Sequence, residues 1–70
     1  MITKEQLINS FGRPVTITQG EAVISGRIYP LSGLQIEGYL SSNSEEAYIQ
    51  VDGEDPTRPK TFPLAAIEFV

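Results

Sequence analysis

Cysteine, histidine and tryptophan are absent from this chain of 70 residues. Without cysteine there is no disulfide framework and no thiolate metal site. Without histidine, the commonest general base and the commonest zinc ligand are both missing. A hydrolytic site would have to rest on carboxylates, on Lys4 or Lys60, or on hydroxyls, and Ser41, Ser42 and Ser44 have no candidate base near them in sequence. The expectation is a protein that is not an enzyme and that uses no cofactor and no metal. Positive charge is also scarce, with 5 Lys and Arg against 9 Asp and Glu and a net charge of -4. The cations Lys4, Arg13, Arg27, Arg58 and Lys60 are scattered. Because phosphate contacts supply most non-specific nucleic-acid affinity, this balance argues against broad nucleic-acid binding. No apolar run approaches the roughly 20 residues that span a bilayer. Met1 to Ser10 carries Lys4 and Glu5 and has no apolar stretch of signal-peptide length, so the expected setting is the cytoplasm, away from membranes.

What is present fits a single small domain over residues 1–70. A chain of this length buries only about 60% of the surface its unfolded form exposes, so its stability is marginal. The chain opens on helix signals over residues 3–11. Thr3 is a candidate N-cap and Gln6 stands three residues later, as a capping box requires. Ile2 and Leu7 fit a hydrophobic staple, and Leu7, Ile8 and Phe11 form one apolar face. Gly12 is placed to end the helix left-handed, and Arg13-Pro14 reinforces the stop.

From Pro14 the apolar period becomes two, and residues 14–70 read as strands. Val15 to Thr18 is a strand, Gln19-Gly20 a turn, and Glu21 to Tyr29 a second strand with Ala22, Ile24, Gly26 and Ile28 on one face. Gly26 in mid-strand predicts a bulge or sharp bend. Leu34 to Leu40 is expected as a third strand, with Leu34, Ile36, Gly38 and Leu40 inward, and Ala47 to Val51 as a fourth. Asp52 to Lys60 is a long loop, Thr61-Phe62 resumes extension, and Pro63 to Ala66 is one tight helical turn. Ile67 to Val70 is the last strand. The expected fold is all-β with one short N-terminal helix. Its five strands form a strongly bent antiparallel sheet that makes a small barrel. The helix is expected to plug one end with Leu7, Ile8 and Phe11.

The stretch Phe11-Gly12-Arg13-Pro14-Val15-Thr16-Ile17 is similar to the helix end and first strand of the Sm-like family. Gly20 matches that family's first hairpin turn and Gly26 its bent second strand. The tail from Thr61 to Val70 resembles the end of Src-homology-type barrels, where a proline and a tight helical turn precede the last strand. The resemblance implies a shape and a habit of pairing strand edges into rings. The family's RNA-contact residues have no counterpart here. Tyr29 to Leu34 holds neither the Asp nor the Asn of that family's loop between strands two and three, and Arg58 is not followed by Gly.

If the apolar positions face inward, Tyr29, Tyr39 and Tyr48 face outward, together with Arg27, Glu37 and Gln50. This outer face, with Arg58 from the long loop, is the expected partner-binding set. Set against it is strong bending that would fold the rings over the barrel or under the helix. The carboxylates Glu45, Glu46, Asp52, Glu54 and Asp55 lack calcium-loop spacing and read as solvated. No glycine pattern of the phosphate-cradling kind occurs. The expected function is an interaction or assembly module that binds a protein partner, or itself as a homo-oligomer, through that face and through open strand edges. An Sm-like nucleic-acid-binding protein is the alternative. A viral or mobile-element structural component is a third reading that the size permits.

Overall fold

The computed structural model describes all of residues 1–70. Helix α1 (Lys4–Ile8) begins where its capping box places it. The Gln6 amide donates to Thr3 Oγ1 at 3.1 Å and the Thr3 amide donates to Gln6 Oε1 at 3.0 Å. The helix is shorter than expected. It ends at Ile8, and Ser10 to Arg13 form a separate turn closed by the Arg13 amide on the Ser10 carbonyl. Gly12, at φ 80°, therefore serves this turn and not the helix end. There its amide donates to the Ile28 carbonyl at 2.8 Å, tying the turn to the sheet. Ile2 and Leu7 are fully buried, whereas Ile8 and Phe11 pack half-buried against the core.

Strand β1 (Pro14–Gln19) buries Val15 and Ile17 and pairs antiparallel with β2 (Ala22–Ile28). The two-residue connection puts Gly20 at φ 59° in its first position, the sign a type II′ hairpin needs there. Pairing runs unbroken through Val15↔Gly26, so β2 carries no bulge at Gly26. The glycine is there because β3 comes close, and a β-carbon at Gly26 would lie 2.6 Å from the Gln50 carbonyl oxygen. Ile28 and Gly26 are buried, but Ala22 at the hairpin end is exposed.

The segment expected as a third strand is a helix, α2 (Gly33–Ser41). The cause is a second capping box, Ser32 with Gln35, which the alternating Leu34, Ile36, Gly38 and Leu40 masked. Ser32 Oγ accepts from the Gln35 amide at 3.4 Å, and Gln35 Oε1 accepts from the Ser32 amide at 2.9 Å. On a helix those alternating residues scatter around the axis. Leu34 is 83% exposed, while Tyr39 is buried and Ile36 half-buried.

Strand β3 (Glu46–Val51) buries Ala47, Ile49 and Val51. Strand β4 (Lys60–Pro63) grows from the expected extension at Thr61-Phe62, a 3₁₀ turn follows at Leu64–Ala66, and β5 (Ile67–Phe69) ends the sheet. The strand order is β4-β3-β2-β1-β5, all antiparallel. The five strands are thus not the expected five, because β4 replaces the segment that became α2.

β4 and β5 are the two edges, and they do not pair with each other, so the sheet is open and not a barrel. It is nonetheless curled. Four strand spacings would put flat edges about 19 Å apart. The chain covers Pro63 to Ile67 in four residue steps, at most about 14 Å when fully extended. The 3₁₀ turn shortens that reach further. The edges must approach each other, and Leu64, in the turn that joins them, is buried in the core.

Candidate functional site

One groove of about 570 Å³ opens on the molecule. Tyr29 and Leu31 line it from the end of β2 and the segment beyond. Gln35, Gly38, Tyr39 and Ser42 line it from α2 and its end, Ser44 and Tyr48 from the approach to β3 and β3 itself, and Pro59 from the long loop. All three tyrosines of the chain are in that lining.

Each ring arrives by a different local cause. Tyr48 alternates with buried Ala47 and Ile49, so it projects from the opposite face of the sheet and is 37% exposed. Tyr29 extends β2 by one step, its amide donating to the Tyr48 carbonyl at 3.0 Å, and is half-buried. Tyr39 was expected to face outward on a strand. The helix turns it inward instead, to 6% exposure, with its ring centroid 6.0 Å from that of Tyr48 and the planes tilted by 59°.

Lys4, which carries no motif, fixes the end of α2. Its ammonium donates to the carbonyls of Tyr39 at 2.9 Å and Ser42 at 2.8 Å and to Ser42 Oγ at 3.3 Å. It also lies 4.8 Å from the Tyr39 ring centre. A cation at a helix C-terminus meets carbonyls that have no helical partner and the negative end of the dipole. The loop that carries Pro59 is similarly tied. Asp55 Oδ1 accepts from the Thr57 amide at 2.9 Å and the Thr57 hydroxyl at 2.7 Å, which together hold its carboxyl below the usual range. Lys60 pairs with Glu54 at 2.9 Å.

The remaining expected site residues do not join the rings. The Arg27 guanidinium donates to the Gly12 carbonyl at 3.0 Å, bracing the turn after α1. Gln50 spends its Nε2 on the carbonyls of Val51 and Glu54, both at 3.0 Å. Glu37 is exposed on α2. Arg58 lies 3.8 Å from Asp55 and is exposed, next to Pro59. Sequence reasoning missed Ser44, on the approach to β3, and Gln35 and Ser42, which are brought to the groove by the helix. The Ser32–Gln35 spacing was the signal that could have found it.

The Tyr39 hydroxyl is buried and has no hydrogen-bond partner. Burial first, then the neighbouring Tyr48 and Glu45 charges, push its phenol up from 10.0 to about 12. The fold therefore favours the neutral phenol. The stability this contributes is intact below pH 10, the unfolded value, and is lost as the pH rises from 10 through about 12. Denaturation midpoints across that window are expected to fall more steeply for the natural chain than for Tyr39→Phe. At neutral pH Tyr39→Phe is expected to be as stable as the natural chain or more so, because it removes a buried group with no partner. A loss of more than about 1 kcal/mol at neutral pH would show that the hydroxyl is in fact bonded.

Compared with known proteins, the chain matches no family model, no curated protein by sequence and no solved structure by fold.

Proposed function

We propose that the protein is a non-catalytic interaction module that binds a segment of a protein partner in the tyrosine-lined groove. One observation carries this reading. The only three tyrosines of the chain, from the residue after β2, from α2 and from β3, converge on its one groove. Tyrosine supplies contact area at low entropic cost and is enriched at binding hot spots. The groove is framed by α2, by the sheet and by a loop held through Asp55, so its walls are largely set before a partner arrives.

The five cations support a protein partner over nucleic acid. Lys4 is engaged with carbonyls, Arg27 with the Gly12 carbonyl, Arg58 with Asp55 and Lys60 with Glu54. Arg13 lies over the Phe69 ring at 3.9 Å. Each has a partner within the fold, and none is grouped to meet a phosphate backbone. The Sm-like resemblance stands as a proposal about architecture, supported by the leading helix, and the Src-homology-type one is supported by the helical turn before the last strand. The insertion of α2 between β2 and β3 departs from the Sm-like one, in the stretch where that family's RNA contacts fall. Self-association is a second reading with its own observation: both edge strands, β4 and β5, have one side unpaired. Molar mass by light scattering as a function of concentration separates it from groove binding.

Selection of random peptides displayed on phage tests the groove. Sequences enriched on the natural chain are expected to lose about tenfold or more in affinity on Tyr48→Ala, the size of a hot-spot truncation. Peptides that bind both forms equally would overturn the reading, as would amide shifts that fall on β4 and β5 and leave the groove untouched.

A further inference from the structure

Helix α2 is held to the molecule by few attachments. Its nine residues are too few for a helix to persist in water without tertiary support. Tyr39 is its one buried side chain. Ile36 is half-buried without packing against the core, and Leu34 and Leu40 are exposed. No backbone hydrogen bond joins α2 to a strand. Its hydrogen bonds to a distant part of the chain all come from one side chain, the Lys4 ammonium, on the carbonyls of Tyr39 and Ser42 and on Ser42 Oγ.

The ground under that ammonium is firm, because Ile2 and Leu7, on either side of Lys4, are fully buried. The anchor at Tyr39 is weaker. Its hydroxyl is buried with no hydrogen-bond partner, a cost that water removes once the ring swings out. Pro30 before the helix and Asn43 after it are exposed and lie outside the strands, so both flanks are free to turn. Local openings draw on segments with few buried apolar contacts. We infer that α2 is a hinged lid over the groove, with Lys4 as its latch. The latched form is the resting one, and α2 opens as a unit while the sheet stays folded. Opening carries away Gln35, Gly38, Tyr39 and Ser42 from the groove wall. It leaves Tyr48 on β3 and Tyr29 bonded to it.

Amide hydrogen exchange of the whole chain, read residue by residue by NMR, tests this. In the natural chain the amides from Ile36 to Ser42 are expected to be at least about tenfold less protected than those within the β1–β2 ladder. Their exchange should also vary little with urea, because a local opening exposes little surface. Two variants separate lid from sheet. Lys4→Met keeps the aliphatic stem and removes the ammonium, and should lower α2 protection about tenfold, the effect of losing hydrogen bonds from a charged group. Ile17→Val should lower protection in β1 and β2 about threefold or more and leave α2 unchanged, because the lid opens without disturbing that buried side chain. If the α2 amides follow Ile17→Val, helix and sheet open only together and the inference is overturned. Indifference of the α2 amides to Lys4→Met overturns it as well. The urea dependence and Ile17→Val decide the matter even where Lys4→Met does not fold.

Discussion

Ile17→Ala is expected to cost about 3 kcal/mol, within the range for truncating a buried isoleucine. A domain of this size is worth roughly 3.5–10 kcal/mol in total, so a large part of its stability goes with that one side chain. Ile17 has no exposed surface and sits where three strands meet, opposite Ile24 on β2 and Ile67 on β5. Ile67 is itself fully buried, and β5 is only three residues long, so the sheet has little slack with which to close a cavity there. Val23→Ala is the control. Val23 lies on the neighbouring strand but is exposed, and its truncation should change stability by no more than about 0.5 kcal/mol. Urea unfolding at constant m-value measures both. Equal losses for the two would mean that the inner face of the sheet is wrongly assigned.

That inner face was legible because period-two alternation is a direct record of it. Val15 and Ile17, then Ala47, Ile49 and Val51, read as buried and are buried. The first helix was legible for a different reason. Its Thr3–Gln6 capping box stood free of any competing pattern. Over Ser32 to Leu40 two local signals disagreed. The alternation of Leu34, Ile36, Gly38 and Leu40 argued for a strand, and the Ser32–Gln35 spacing argued for a helix. The helix prevails because its box satisfies amide donors at the N-terminus and because Lys4, far away in sequence, satisfies carbonyls at the C-terminus. No local pattern announces that second contact. The candidate site inherited the error. Tyr29 and Tyr48 were placed on the outer face by strand counting, but Tyr39 reached them through a helix, by turning inward. The edge strands also resisted reading. β4 holds four residues and β5 three, too few for alternation to distinguish an open curled sheet from a closed one.

Gly26→Ala is expected to destabilise the protein by about 2–3 kcal/mol, the upper part of the range for an overpacked site. For a chain of this length that lowers the melting temperature by roughly 10–20 °C. The backbone dihedrals do not require glycine here, since Gly12, Gly20 and Gly53 are the glycines at positive φ. The requirement is space. A β-carbon would meet the Gln50 carbonyl oxygen at 2.6 Å and Ile49 Cγ2 at 2.7 Å. Ile49 is fully buried and has nowhere to turn, and the oxygen belongs to the backbone of β3. Relief therefore means separating β2 from β3 at the first rung of their ladder, Gly26↔Val51. The same substitution at Gly38 should act in the opposite direction. A β-carbon there meets nothing within 4 Å, and alanine in mid-helix is worth roughly 0.5–1 kcal/mol over glycine. A stabilising Gly38→Ala follows from the open space beside a regular backbone at that position. Thermal melts of the two variants beside the natural chain measure both shifts, and a Gly26→Ala that melts with the natural chain would mean that β2 and β3 are not packed as closely as described.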